Sequence, residues 1–243
     1  MKIKILYEDL NILAIDKPSG ILVHPDQRSK EKTVLDLFLK KYTKVEIIHR
    51  LDKETSGVML LAKNKKAYEF LKKQFSAPAL GLKTKRGLVD GQYRINKVYV
   101  AIVNGWVKND RGIINKPIGR SPKDFRRHLA GRGARGEMRE AITEYKVLKR
   151  FTSPRPSPYK GEGAKFTYLE VKPKTGRTHQ IRVHMKYLNH PIVCDSLYNP
   201  DVPCPKGISR LALHAKSIEF KNLKGKAVKV ESSVPKEFAK ILT

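Results

Sequence analysis

Residues His49 to Gly57 read HRLDKETSG and lie between two apolar runs, KVEII before and VMLLAK after. Within them an aspartate, Asp52, stands close to an arginine, Arg50, at the mouth of what reads as a buried strand. A carboxylate held there could do acid, base or nucleophilic work. The plainer reading is a turn, in which Asp52 accepts backbone N–H bonds, Thr55 and Ser56 cap, and Gly57 relieves the backbone. A second segment shifts the balance. PKTGRTHQIRVHM places a Thr175-Gly176 turn ahead of Arg177, Thr178, His179 and a helix carrying Arg182. Two polar clusters, each beside an apolar element, are expected to form two walls of one cleft.

Other chemistries lose their signatures. There is no G-x-S-x-G elbow for acyl transfer and no G-x-x-x-x-G-K-[ST] loop for nucleotide hydrolysis. His179 and His184 are five positions apart rather than the four that align two ligands on one helix face, and no HExxH glutamate accompanies them. The expectation is therefore no metal, with one of these histidines packed and the other hydrogen-bonded. Gly131, Gly133 and Gly136 spell a G-x-G-x-x-G. The residues before them, RRHLA, are no buried strand, however, and the position 20 beyond the motif is Pro156 rather than an acid. The segment reads instead as a flexible basic loop in which Arg120, Lys123, Arg126, Arg127, Arg132, Arg135 and Arg139 outnumber Asp124 and Glu137. So many arginines favour contact with phosphates over simple solvation.

Several elements must position these residues. KILYEDLNILAIDKP reads as two strands of a hairpin closed by Pro18-Ser19-Gly20, and VLDLFLKKY has helical spacing. Val58 to Ala62 is a continuous apolar strand. Asn64 caps a helix whose Ala67, Leu71 and Phe75 share a face. VYVAIVNGWV reads as a strand pair, FTYLEVKP as a strand, and THQIRVHMKYL as a helix. The uneven alternation predicts an α/β (α+β) fold with a mixed, mostly antiparallel sheet flanked by helices, in one domain over residues 1–243. Loop insertions are expected near 76–96 and 152–165, where Gly, Pro and basic residues gather without periodicity.

Over its 243 residues the chain carries 51 Lys and Arg against 23 Asp and Glu, a net charge of +28, which attracts polyanions at long range. No apolar run approaches the roughly 18 residues of a spanning helix, so nucleic acid is favoured over a membrane as partner. The N-terminus has no secretory pattern. The two cysteines, Cys194 and Cys204, have no zinc-type spacing and are too few for a disulfide framework, which points to free thiols and a reducing cytoplasm.

Four separated blocks, HRLDKETSG, KVYVAIVNG, KTGRTHQIRVHMKYLNHPIVCDSLY and LALHAKSIEF, resemble the RluA-type family of RNA pseudouridine synthases, as does the opening KILYEDLNILAIDKPSGILVHP. The likeness covers nearly the whole chain apart from the two insertions. It implies the pseudouridine synthase catalytic fold and the isomerisation of uridine to pseudouridine in structured ribosomal or transfer RNA. It implies neither cofactor nor metal, and a cytoplasmic protein, taken as a monomer. Asp52 would be the catalytic aspartate, Tyr99 the tyrosine stacking on the target base, and Arg182 the arginine paired with the catalytic carboxylate. Arg50 would act in base displacement, Leu213 would line the uracil pocket, and Arg177 and His179 would contact RNA. Larger relatives carry a further N-terminal RNA-binding module. Here KILYEDL begins almost at residue 1, so no separate module is expected. The rival reading is a catalytically silent RNA-binding or RNA-chaperone protein of the same fold.

Overall fold

A computed structural model describes residues 3–25, 31–77, 93–131, 133–156 and 163–242. In chain order the elements are β1 (Lys4–Glu8), β2 (Ile12–Lys17), α1 (Val34–Leu39), β3 (Glu46–Ile47), β4 (Ser56–Ala62) and α2 (Lys65–Ser76). Then come β5 (Asn96–Asn104), β6 (Arg111–Asn115), β7 (Ile118–Arg120), β8 (His128–Ala130) and β9 (Arg135–Arg139). The chain finishes with β10 (Ile142–Pro156), β11 (Gly163–Pro173), α3 (Gln180–Tyr187), β12 (Leu213–Lys221), β13 (Ala227–Glu231) and α4 (Lys236–Leu242). The architecture is a mixed, mostly antiparallel sheet with helices, and the chain divides into two compact units.

The first unit comprises Met1–Lys97 and Ala215–Ser233. Its strand order is β1-β2-β4-β12, with β13 on β12 and β3 on β4. Strand β4, SGVMLLA, is buried at every position, which explains its unbroken apolar run. The N-cap Asn64 accepts the Ala67 N–H at 2.9 Å and starts α2, whose Ala67 and Leu71 pack with Ile12, Leu60 and Phe220 into one core. Helix α1 opens on a capping box between Thr33 and Asp36.

The second unit comprises Val98–His214 and Val234–Thr243. Its strands run β5-β11-β10-β6, and β7 to β9 form a separate three-stranded sheet in the order β8-β7-β9. The larger core gathers Val100, Ile102, Leu169, Ile181, Met185 and Phe238. A smaller one, built from Ile118, Ala141, Val183 and Tyr198, joins the three-stranded sheet to α3.

Three expectations are corrected. Of the segment expected to loop out over 152–165, the described residues at its two ends are strand, Thr152 facing Lys165 and Pro156 facing Gly163, and residues 157–162 lie outside the described residues. A register shift between Thr152 and Pro156 lets the ladder pass residues that lack an N–H. The basic segment expected to be a flexible loop forms β8 and β9. Its Gly131, Gly133 and Gly136 all adopt positive φ, the first two between the strands and Gly136 within β9, whose pairing with β7 shifts register. Third, VYVAIVNGWV is one strand, β5, ended by Gly105 at φ 80°. The other expected insertion falls mostly on residues 78–92, outside the described residues, as does Arg132.

Candidate active site

In the first unit, HRLDKETSG is a turn whose backbone is pinned from three directions. The Asp52 carbonyl accepts the Thr55 N–H at 3.1 Å, closing the turn. Lys17, at the end of β2 and wholly buried, donates its Nζ to the carbonyls of Pro18, Ile21 and Lys53 at 2.9, 3.0 and 3.0 Å. The Gly20 N–H also reaches the Lys53 carbonyl, at 2.8 Å, and Ser19 Oγ donates to the Glu54 carbonyl at 2.6 Å. The DKPSG segment thus clamps the two residues following Asp52. Asp52 itself is half-buried, while Arg50 is exposed. The turn reading and the catalytic reading therefore do not compete, since the backbone makes the turn and the Asp52 side chain is carried on it. The expected hydroxyl cap from Thr55 is not formed, because its buried Oγ1 has no hydrogen-bond partner among the described residues.

The two ends of the segment are structural. The half-buried His49 accepts the Leu60 N–H on Nε2 at 2.9 Å and packs its ring 4.6 Å from that of Phe75. Desolvation, with the Lys97 charge adding, pushes its pKa down to about 3, so it is a neutral acceptor at working pH. Gly57 has φ 110°, and a Cβ there would lie 2.2 Å from the Ala215 carbonyl oxygen on β12. Only glycine lets those two strands approach this closely.

In the second unit, Arg182 on α3 is 4% exposed and makes a two-pronged pair with Asp195, Nε to Oδ2 at 2.8 Å and Nη2 to Oδ1 at 2.7 Å. Asp195 is fully buried and also accepts the N–H groups of Leu197 and Tyr198 at 3.0 and 2.9 Å. The Arg182 guanidinium lies 5.2 Å over the Tyr198 ring, and the Tyr198 hydroxyl meets His179 Nδ1 at 3.0 Å. That hydroxyl also accepts the His128 N–H at 3.0 Å. His179, at the N-terminus of α3, adopts a left-handed φ of 54°, uncommon for a residue with a Cβ. Arg182 is thus pre-aimed by a buried carboxylate, in the way that planar bidentate pairs fix direction.

Residues 11–187 match the model of a family described as RNA pseudouridylate synthase. A ribosomal large subunit pseudouridine synthase D of Borreliella burgdorferi is 37% identical over 252 residues, covering 99% of this chain and 68% of the relative. The chain belongs to the RNA pseudouridylate synthase family. A second relative of the same name, from Xanthomonas campestris pv. campestris, is 32% identical, with 99% and 69% covered. The structure of human RNA Pseudouridylate Synthase Domain Containing 4 superposes with a TM-score of 0.69 at 25% identity, over 98% of this chain and 91% of that one. Human RNA Pseudouridylate Synthase Domain Containing 1 shares the fold with a TM-score of 0.72 at 24% identity, over 96% and 83%. As an RluA-type pseudouridine synthase, the chain is an RNA isomerase that converts uridine to pseudouridine.

Of the other residues expected in a pseudouridine synthase site, Tyr99 lies on β5 opposite Val171 of β11, half-buried against the edge of the second unit's core. Leu213 is buried in that core. Arg177 is half-buried; its Nε donates to the Glu140 carbonyl at 2.8 Å, and its N–H donates to Gln180 Oε1 at 3.0 Å. The histidines of HQIRVH are both hydrogen-bonded, and His184 is buried as well, between Thr143 Oγ1 at 2.8 Å and the Lys116 carbonyl at 3.0 Å. Lys17, His49, Asp195 and Lys97 were not picked out from the sequence. Lys97, two positions before Tyr99 on β5, is pushed down to about 8 by desolvation and then by the charge of Arg94. The KxY spacing could have singled it out, because alternate strand residues share a face.

Cys194 and Cys204, expected to be free thiols, are joined as a disulfide. The chain between them brings their Cα atoms to 5.1 Å, so a ten-residue separation is no obstacle to pairing. This removes the argument for a reducing compartment that rested on them. Among the described residues no group of three or more His, Cys, Asp or Glu could hold a metal ion, and no helix is long and apolar enough to cross a membrane.

Proposed function

We propose that this pseudouridine synthase modifies uridine in large-subunit ribosomal RNA, acting as a cytoplasmic monomer with Asp52 as the catalytic carboxylate. The observation that carries the reading is the clamped turn. A carboxylate borne on a backbone fixed by Lys17, Ser19 and Gly20 is presented in one direction, as chemistry at a ribose requires. The names of the relatives support the ribosomal substrate, with transfer RNA as the other RNA to be tested.

In the proposed reaction the N1–C1′ bond of uridine breaks, the uracil turns, and C5 joins C1′ while a proton leaves C5 and N1 is protonated. No electrons leave the substrate and no phosphate moves. The Asp52 carboxylate acts as nucleophile at C1′ or as base on the ribose, both familiar roles for carboxylates near an anomeric carbon. Arg182, aimed by Asp195, supplies a guanidinium to the reaction, and the half-buried Tyr99 stacks on the target base. Flipping the base from its stack costs a few kcal/mol. Arg50, exposed two residues before Asp52, fills the vacancy left behind. Arg177 and His179 contact the RNA, and Leu213 forms the apolar floor under uracil.

Mapping pseudouridine in total cellular RNA with and without the gene tests the substrate. Loss of one or more large-subunit ribosomal positions is expected. Loss confined to transfer RNA would move the substrate. No loss anywhere would favour the catalytically silent RNA-binding protein.

A further inference from the structure

The rim of the second unit's sheet carries charge that uridine isomerisation does not use. Strand β6 stands at the end of that sheet beside β10, and at the start of β6 the ladder sets Arg111 directly opposite Lys146. Residues so placed project to the same side of a sheet, and two like charges there repel. Nothing in the fold offsets the repulsion. Among the described residues no ion pair or hydrogen bond engages the side chain of Arg111 or of Lys146. The nearby carboxylates are committed elsewhere. Glu170, opposite Lys146 on β11, pairs with Lys172 at 3.1 Å, and Glu144, the next residue of β10 on the same face as Lys146, pairs with Lys174 at 2.8 Å.

The opposed pair borders a shallow pocket of about 390 Å³, lined by Asp110, Arg111 and residues 146–150. Its frame is fixed. The Val147 N–H donates to the Asp110 carbonyl at 2.7 Å. Arg150 donates Nε to the Val107 carbonyl at 2.8 Å, and Nη2 to the Lys108 carbonyl at 2.9 Å and to Asp110 Oδ1 at 2.6 Å. The carboxylate of the pocket is thus neutralised by Arg150. Lys149 gives its Nζ to the Leu242 carbonyl, an uncharged acceptor, and keeps its full charge. Arg111, Lys146 and Lys149 therefore line one concavity with their charges uncancelled, and such a concavity concentrates the field that draws an anion. A phosphodiester spreads one charge over two oxygens, an acceptor for each member of the opposed pair.

We infer that the pocket at the β6–β10 rim is a phosphate site for the RNA backbone, in which Arg111 and Lys146 hold one phosphodiester within the field of Lys149. The identity of the polyanion rests on the RNA isomerase reading; the site itself is additional to the residues expected at the uridine. Bound phosphate relieves the repulsion that the free protein carries between Arg111 and Lys146. A phosphate contact positions the substrate without reading a base, so the pocket adds affinity and orientation rather than choice of uridine.

The test uses the full chain and a labelled fragment of large-subunit ribosomal RNA. The double variant Arg111→Gln with Lys146→Gln removes two charges at the pocket. Lys66→Gln with Lys224→Gln removes two exposed charges from the first unit and matches it in net charge. The pocket variant should lose about tenfold in affinity at about 100 mM salt, and its slope of log affinity against log salt should be shallower by about 1. The matched variant should stay within about twofold of wild type in affinity. Melting of the pocket variant should not move down, because a repulsion is removed rather than a contact. Equal losses in the two variants would dissolve the pocket into the general charge and overturn the site. A lower melting temperature of the pocket variant would make the pair structural and overturn it too. Titration with inorganic phosphate separates the sources. Phosphate binding that only the pocket variant loses, with its RNA affinity equal to that of the matched variant, would assign the pocket to free phosphate and overturn the RNA contact. Pseudouridine formed by wild type on the same RNA is scored separately. Its absence, with the affinity split intact, would sink the isomerase reading and leave the phosphate site standing.

Discussion

At the scale of single residues, a carboxylate that must act on a ribose needs aim as well as charge, and most of the polar residues around the candidate site provide aim. Asp195 is an example: its Oδ2 accepts Arg182 Nε, and its Oδ1 accepts Arg182 Nη2 and the N–H groups of Leu197 and Tyr198, so removing the Arg182 side chain leaves a buried carboxylate without this cation. Arg182→Ala should cost about 3–5 kcal/mol, a fall in melting temperature on the order of 10 °C, together with loss of turnover. An unchanged melting curve would show that the pair carries no stability. His49 makes a pH-dependent contribution. Its folded pKa, about 3, lies below the ordinary histidine value of 6.5, so the unfolded chain binds the proton first. The stability it contributes is therefore complete above pH 6.5 and declines as pH falls towards 3. His184, also lowered by desolvation, acts in the same direction. Urea midpoints measured from pH 7 to pH 5 should fall, and His49→Gln should flatten part of that slope; an identical slope in the variant would assign it elsewhere.

At the scale of elements, the approach of β4 to β12 depends on Gly57. Gly57→Ala places a Cβ against the Ala215 backbone and holds an alanine at φ 110°, so destabilisation beyond about 3 kcal/mol is expected. Native-like melting of that variant would contradict the close approach. Lys17→Met should remove this donor from the Pro18 and Ile21 carbonyls and leave the Lys53 carbonyl with the Gly20 N–H, and should lower the rate of pseudouridine formation more than RNA affinity. Affinity falling as far as rate would mean that Lys17 does not position the catalytic turn. Much of this level was legible beforehand. The β1–β2 hairpin, the buried strand after HRLD and the Asn64 cap all follow from local patterns of apolar residues and turn formers. The anchors were not legible, because Lys17 reaches a carbonyl 36 residues away and nothing local distinguishes it from a solvated lysine. Likewise the partner that Arg182 meets 13 residues on, Asp195, reads in sequence as an ordinary turn residue. The prolines at 154 and 156 argued for a loop, whereas a bulge in the β10–β11 ladder accommodates them.

At the scale of the whole molecule, the excess of positive charge makes RNA affinity chiefly an electrostatic quantity. Binding to ribosomal RNA fragments should fall steeply with salt, by about a thousandfold between 50 and 200 mM if six or so phosphates are neutralised. A flat response would remove the charge from the account of substrate binding. Charge was fully legible from composition, and so was the polyanionic class of partner; which RNA is chosen depends on surfaces that composition does not encode. The central claim is chemical rather than electrostatic, and one substitution separates the two. Purified wild-type protein and Asp52→Asn should be incubated with transcribed large-subunit ribosomal RNA, scoring pseudouridine and RNA affinity in parallel. The account predicts pseudouridine from wild type and none from Asp52→Asn, with affinities within a few-fold of each other. Turnover retained by Asp52→Asn would contradict it.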